Sequence, residues 1–311
     1  MSSNTANRTV ASGATPPLYW YLLSVGLTIG KRVKNVILYT QLDIVGMGVA
    51  GTLTVMYVLG LELSLAPVVV GLVTFGVYVG DRISDIKRDP EATSDRNAFM
   101  KRHKTALSVG SAVGYGLAIA IAVLGGPFAL AVTIVPGLVW VLYASDVMAS
   151  AGLLKRLKRV LVLNSALVAF GWATALVFVP LAFAEAAVSP IAMVLFAYFF
   201  LDIYINAEIP NFRDVADDAA NGVSTLPTVF GVRRSRQLLY AINALIVFVL
   251  AFAYLQGLLT LVVTVAVLLG RGYAIGVNSL VGRTERYRLL ELAGEMKHVF
   301  VGLLLLGVLL R

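Results

Sequence analysis

Residues 66–89 read APVVVGLVTFGVYVGDRISDIKRD, an apolar run that ends in a group of charged side chains. No charged side chain occurs before Asp81, and an apolar run of this length is typical of a helix that crosses a bilayer. A helix is the expected form because it satisfies its own backbone hydrogen bonds in lipid. The stretch therefore predicts a membrane-spanning helix over 66–82 with a charged segment at its end.

Similar apolar runs recur along the 311-residue chain, of which 59% is hydrophobic and 14% charged. Soluble domains carry about 25% charged residues. We predict an all-α polytopic membrane protein in which a disordered tail, 1–17, precedes one transmembrane domain, 18–311. The domain is expected to be a bundle of about nine helices. The predicted spans are 36–60, 66–82, 105–124, 127–146, 160–182, 188–209, 237–256, 258–279 and 294–310.

The segments between these spans alternate in length and charge. One set is short and contains no Lys or Arg, whereas the other is long and basic. The basic set comprises 83–104, 147–159, 210–236 and 280–293. Basic loops stay on the cytoplasmic side, so we expect a cell-membrane protein with a cytoplasmic N-terminus and active-site mouth. The net charge of +8 then reflects topology and does not indicate a nucleic-acid partner. The chain contains no cysteine, which excludes disulfides and thiolate chemistry.

The first charged segment places Asp81, Asp85 and Asp89 four residues apart. On a helix such residues share one face, with about 6 Å of rise between them. Like charges at this spacing destabilise a helix unless a cation lies between them. Carboxylates with added phosphate oxygens are suitable ligands for Mg²⁺.

A second acidic segment follows the sixth predicted span. Asn211, Asp214 and Asp218 stand at i, i+3 and i+7, which again is one helical face. A single acidic segment near basic residues is more simply a solvated surface. Two such segments, each at the end of an apolar helix and each flanked by Arg or Lys, favour a site for a magnesium-bridged diphosphate.

These motifs resemble the UbiA superfamily of intramembrane aromatic and lipid prenyltransferases. Its members have nine transmembrane helices and two signatures, approximately NDxxDxxxD and DxxDxxxD. The segment Gly222–Pro227 also resembles the stretch that follows the second signature. Three positions depart from the family pattern: Asp81 stands where Asn is usual, Arg82 replaces an acidic residue, and Asn211 replaces Asp.

The resemblance implies Mg²⁺-dependent transfer of a polyprenyl group from an isoprenoid diphosphate to a lipophilic acceptor within the membrane. One Mg²⁺ would be held by Asp81, Asp85 and Asp89, and a second by Asn211, Asp214 and Asp218. Asp85 and Asp214 are the expected catalytic members. Acceptors that remain open are a quinone precursor, a lipid, a carotenoid or a tetrapyrrole. The candidate diphosphate-binding cations are Arg96, Lys101, Arg102, Lys155, Arg156 and Lys158.

Polar and aromatic residues inside the predicted spans are further candidates, because ionisable groups in lipid are costly and usually functional. Asp202, a third catalytic candidate, and Asn206 lie one turn apart and are expected to orient the acceptor or take its proton. A structural ion pair is an equally good interpretation of Asp202. The other candidate carboxylates are Asp43, Asp146 and Glu208. Four aromatic side chains are candidates for shielding a carbocation, and ordinary packing between helices is the alternative interpretation: Tyr143, Tyr198, Phe199 and Tyr204.

Two other functions remain possible on sequence grounds. A secondary transporter also uses intramembrane carboxylates and related halves, but its site is expected near the bilayer midplane. Essential Asp43 and Asp202 with dispensable Asp85 and Asp214 would favour transport. A non-catalytic member of the same fold is the third possibility, and the basic Arg82 is its only support.

Overall fold

The computed structural model describes residues 33–86, 95–144, 163–220 and 222–309, together with Leu27, Gly30 and Lys31. This part of the chain is helical and contains no strand, which confirms the predicted all-α class. The helices are α1 (Leu42–Leu59), α2 (Ala66–Asp85), α3 (Asp95–Arg102), α4 (Lys104–Ala122), α5 (Gly126–Ala144), α6 (Leu163–Phe183), α7 (Pro190–Glu208), α8 (Val215–Ala220), α9 (Leu226–Leu255), α10 (Leu261–Asn278) and α11 (Tyr287–Leu309). Short 3₁₀ segments cover Val123–Gly125 and Pro210–Phe212.

Seven segments of the described chain are long and apolar enough to cross a membrane. One of them, Lys104–Val141, contains α4 and most of α5, and α11 is not among the seven. The expected number of about nine spans is therefore not confirmed. The tail expected at 1–17 lies outside the described residues.

The long helices form a closed ring. Each of α1, α2, α4, α5, α6, α7, α9, α10 and α11 packs against the next, and α11 packs back against α1. Helices α2 and α6 also contact each other and α1, so they fill part of the interior. The closed arrangement brings residues that are far apart in sequence to one central space.

Local sequence signals set where several helices begin and bend. Helix α7 begins after Ser189, whose hydroxyl accepts the N–H of Ala192 at 3.4 Å, as an N-cap residue does. Helix α9 begins with a capping box between Thr225 and Thr228. It then kinks at Gly231, whose φ of 75° favours glycine because it has no Cβ. This ordered start of α9 supports the loop that carries the second acidic segment.

An ion cluster lies inside the ring between α7, α10 and α11. Asp202 is 0% exposed and pairs with Arg271, with Lys297 Nζ at 3.0 Å and with His298 Nε2 at 3.1 Å. Lys297 also donates a hydrogen bond to the carbonyl oxygen of Gly294 at 2.7 Å. Buried charges are tolerated when they are paired, so the cluster explains why α10 and α11 carry basic residues within apolar sequence.

Candidate active site

The two acidic segments meet at one cavity of about 690 Å³. Asp81 reaches it from the end of α2, whereas Asn211, Asp214 and Asp218 reach it from the segment between α7 and α9. Helices α1, α5, α6 and α11 supply half of the remaining lining residues. Asp85 is the last residue of α2, but its side chain and the whole of Asp89 lie outside the described residues.

The described lining of this cavity has more acidic than basic side chains. Its six carboxylates are those of Asp43, Asp81, Asp214, Asp218, Glu291 and Glu295. Its three basic side chains are those of Lys34, Arg82 and Arg96. An excess of carboxylates in a confined space favours the binding of cations, because bringing like charges together in a medium of low dielectric is costly.

Asp81 is held in place by a tryptophan of the neighbouring helix. Trp140 Nε1 donates a hydrogen bond to Asp81 Oδ1 at 3.2 Å. The indole can lie this close because residue 80 is glycine, and a Cβ there would stand 3.3 Å from two atoms of the Trp140 ring. Sequence analysis named Asp81 but did not identify Trp140, which comes 59 residues later.

In the second acidic segment, the first two motif residues are anchored by different neighbours. Asn211 Nδ2 donates a hydrogen bond to Glu208 Oε2 at 3.0 Å, and Glu208 is only 1% exposed. Asp214 accepts two hydrogen bonds from Arg213, from Nε at 2.7 Å and from Nη2 at 2.9 Å. Paired, planar contacts of this kind fix the orientation of a carboxylate.

Asp218 lies in a crowded acidic environment. Burial, followed by the charge of Asp214, raises the pKa of Asp218 to about 6, and the charges of Asp217 and Glu208 add to the increase. A hydrogen bond with Thr225 opposes the shift. A carboxylate with a raised pKa beside other carboxylates is stabilised in its ionised form when a metal cation binds.

The part of the chain that the structure describes contains no ready-made group of three or more Asp, Glu, His or Cys side chains around a single point. The polar donors that the acidic segments bring to the cavity are carboxylate and amide oxygens. Such oxygens fit Mg²⁺, which usually takes one or two carboxylates and completes its shell with water and substrate phosphate oxygens.

Of the six candidate diphosphate-binding residues, the structure describes three, and one of these three lines the cavity. Arg96 is 8% exposed and lines the cavity. Lys101 and Arg102 are exposed at the end of α3 and do not line it. The other three candidates lie outside the described residues: Lys155, Arg156 and Lys158.

Of the residues expected to orient the acceptor, Asn206 lines the cavity and Asp202 does not. Asn206 lines the cavity and donates a hydrogen bond to Glu295 Oε1 at 2.9 Å. Asp202, one turn earlier, is enclosed in the ion cluster and does not line the cavity, which agrees with the alternative of a structural ion pair. Asp146 and the side chain of Tyr143 lie outside the described residues.

The cavity also has aromatic walls, but these differ from the expected ones. Tyr198 and Phe199 line a separate space of about 20 Å³, and Tyr204 is buried away from the main cavity. Instead, Tyr78 and Trp172 line the main cavity with stacked rings whose centroids are 5.2 Å apart. The other aromatic lining residues are Tyr39 and Trp140.

Sequence analysis missed the two glutamates of α11. Glu291 and Glu295 both line the cavity, and they are four residues apart like Asp81 and Asp85. The same one-face spacing indicates that they share a helix face, but it does not show that this face lines the cavity. Glu291 lies just before the predicted span 294–310 and Glu295 at its start.

Comparison with solved structures identifies the same arrangement of helices in other membrane proteins. A UbiA homologue from Aeropyrum pernix K1 aligns with a TM-score of 0.61 at 17% identity, covering 87% of this chain and 98% of that one. A digeranylgeranylglyceryl phosphate synthase aligns with a TM-score of 0.59 at 17% identity, covering 88% and 98%. A UbiA homologue from Archaeoglobus fulgidus, solved with GPP and Mg²⁺, gives 0.57 at 14% identity, covering 88% and 99%.

No protein of curated function matches the chain by sequence. The sequence model of the UbiA prenyltransferase family, however, matches residues 44–301. That range begins next to Asp43, contains both acidic segments and ends in α11, so it includes nearly the whole wall of the cavity. The chain is an integral membrane protein and belongs to the UbiA prenyltransferase family.

Proposed function

We propose that the protein transfers a polyprenyl group from an isoprenoid diphosphate to a lipophilic acceptor inside the membrane, with Mg²⁺ as cofactor. The observation that carries the proposal is that both acidic segments line one cavity, and that among its described lining residues the carboxylates outnumber the basic side chains. The Archaeoglobus fulgidus homologue bound to GPP and Mg²⁺ supports it, because that protein has the same fold.

The acidic segments are the metal-binding elements in this proposal. Asp81, Asp85 and Asp89 serve one Mg²⁺, and the second segment serves another through Asn211, Asp214 and Asp218. When bound, Mg²⁺ neutralises the charge that develops on the departing diphosphate. Glu208 contributes indirectly, because its hydrogen bond to Asn211 orients that amide.

The remaining walls bind and shield the substrate. Arg96 is buried at the cavity beside the first acidic segment and is the best-placed described cation for the diphosphate. The stacked rings of Tyr78 and Trp172 present π-faces that stabilise positive charge on an allylic carbon. Apolar lining residues such as Val168 and Leu292 exclude water from that carbon.

The orientation in the membrane is part of the same proposal. The long basic segments of the sequence lie on the side of the acidic segments, and basic segments are retained in the cytoplasm. The mouth of the site and the N-terminus then face the cytoplasm. A diphosphate, which is charged and water-soluble at its head, would enter from that side of the cell membrane.

The test is prenyl transfer by the purified protein in detergent. It receives labelled geranylgeranyl diphosphate and a total lipid extract, with Mg²⁺ or with a chelator. We expect a labelled lipid product that requires Mg²⁺, falls at least about a hundredfold in Asp81→Ala and Asp218→Asn, and identifies the acceptor by its mass.

A matched control is available next to Asp218. Asp217 carries the same charge but is exposed and does not line the cavity, so Asp217→Asn is expected to retain activity. Equal losses in Asp217→Asn and Asp218→Asn would contradict the assignment. So would the absence of both a product and Mg²⁺-dependent binding of labelled diphosphate.

A further inference from the structure

Two side chains of the cavity each have a buried polar atom without a hydrogen-bond partner among the described residues. These atoms are Oδ1 of Asp43 and Nε of Arg82, and no other residue of the described lining has one. Buried polar atoms are nearly always hydrogen-bonded, so an unpaired donor and an unpaired acceptor in one cavity need an explanation. A ligand that supplies both an acceptor and a donor would satisfy them.

Asp43 is fixed at the start of α1. Asp43 is the second residue of this helix, which begins at Leu42. The helix therefore fixes where the side chain starts, while Oδ1 has no hydrogen-bond partner among the described residues. A carboxylate in this position is available to accept a hydrogen bond from a ligand.

The charges around Asp43 limit what the ligand can be. Glu295 and Arg82 are both near enough to act on the charge of Asp43. Glu295 is held in the cavity wall by its hydrogen bond from Asn206 at 2.9 Å. A ligand carboxylate here would meet two carboxylates and one guanidinium, and like charges repel strongly at contact distance in a medium of low dielectric.

We propose that Asp43 and Arg82 recognise the head group of the acceptor, and that this acceptor is a neutral lipid with a hydroxyl group and no carboxylate. The proposal rests on the prenyltransferase function proposed above. A hydroxyl oxygen donates its proton in a hydrogen bond to Asp43 and accepts one from Arg82. In this proposal, the family's usual acidic residue is replaced by Arg82 because Arg82 donates a hydrogen bond to the acceptor.

The transfer step balances without a further reactant. The bond between C1 of the prenyl group and the diphosphate oxygen breaks, and its electron pair leaves with the diphosphate. A lone pair of the acceptor hydroxyl oxygen forms the new bond to C1. The hydroxyl proton passes to the carboxylate of Asp43 and from there to water.

The experiment compares two lipids that differ in the group next to the hydroxyl. These are methyl 2-hydroxyhexadecanoate, which is neutral, and 2-hydroxyhexadecanoate, which carries a carboxylate. Each is offered to the wild-type protein with geranylgeranyl diphosphate and Mg²⁺, and the rate of ether formation is measured. We expect the neutral lipid to react about tenfold faster or more, because only the carboxylate is repelled.

Variants shift this preference in opposite directions. Asp43→Asn removes one repelling charge, so the preference should narrow to about threefold while the rate with the neutral lipid falls. Arg82→Gln removes the attracting charge, so the preference should widen. Glu62→Gln changes the charge of an exposed residue outside the cavity and should leave the preference unchanged.

Binding of the diphosphate is measured first, from the fluorescence of Trp140 and Trp172 in the cavity wall. If the diphosphate does not bind even with Mg²⁺, the proposed function fails and this inference fails with it. If it binds, but the carboxylate lipid reacts as fast as the neutral one or neither lipid reacts, only the acceptor inference is overturned. The wild-type comparison decides this even if a variant does not fold.

Discussion

Acidic side chains occur in two very different settings in this molecule. In the ion cluster one carboxylate, that of Asp202, faces the basic side chains of Arg271, Lys297 and His298 and is completely buried. In the cavity, the described lining has six carboxylates and three basic side chains. The positive charge of the cluster is therefore enough to balance its carboxylate, whereas that of the described cavity lining is not. The difference separates charge that holds the fold together from charge that is arranged for a ligand.

The largest effect should come from removing the carboxylate of the cluster. Asp202→Asn leaves two buried cations without their counter-charge, and breaking a buried pair in this way costs about 3–5 kcal/mol. We expect a large drop in the thermal unfolding temperature of the protein in detergent. Unfolding is monitored by intrinsic tryptophan fluorescence. Asp218→Asn, the matched change in the cavity, should leave that temperature unchanged or raise it. A comparable drop in both variants would remove the distinction between the two settings.

The cavity should differ from the cluster in its dependence on pH. The pKa of Asp218 is raised to about 6 in the absence of metal. Since Mg²⁺ binds the carboxylate and not the acid, its affinity should be constant above pH 6 and fall about tenfold for each pH unit below it. A Mg²⁺ titration followed by tryptophan fluorescence at several pH values measures this. In Asp218→Asn the decrease should disappear, and a decrease that persists would assign it to another group.

Within the cluster, removing a basic side chain should destabilise the protein less than removing the carboxylate of Asp202. Lys297→Met removes one of the cations, but Arg271 still balances Asp202. We expect a loss of about 1 kcal/mol, close to that of one buried hydrogen bond, because Lys297 also donates to Gly294. The unfolding temperatures of Lys297→Met and Asp202→Asn are measured under the same conditions and compared. A loss as large as that of Asp202→Asn would mean that the cluster has no surplus of positive charge.

The smallest effect should come from the support of Asp81. A Cβ at residue 80 would stand 3.3 Å from the Trp140 ring, so Gly80→Ala moves that ring by a few tenths of an ångström. The ring's hydrogen bond to Asp81 is then weakened, and Mg²⁺ affinity should fall about threefold. Gly116→Ala is a suitable control, because a Cβ there would have no neighbour within 4 Å. Equal Mg²⁺ affinity in both variants would show that Trp140 does not orient the carboxylate.

Local patterns in the sequence were sufficient to predict the helical class and the convergence of Asp81 with Asn211, Asp214 and Asp218. The helical class and the spacing within each acidic segment depend on residues within a few turns of one helix. The meeting of the two segments was expected because each ends an apolar helix on the same side of the membrane and because both resemble the family's signatures. The contribution of Glu295 could not be derived in this way, because it depends on α11 packing against α1 at the far end of the chain. For the same reason the sequence could not decide whether Asp202 binds a ligand or a neighbouring helix, since its partners come 69 or more residues later.

The separation between Asp202 and its partners has a consequence for biosynthesis. The chain is made from its N-terminus, so Asp202 in α7 is synthesised before Arg271 in α10 and Lys297 in α11. During that interval an unpaired carboxylate in an apolar helix is costly to place in lipid. We therefore expect helix α7 to stay beside the translocation machinery, or near water, until α10 and α11 have been inserted. The cavity that both acidic segments line has α11 in its wall, so it is completed by the same late event.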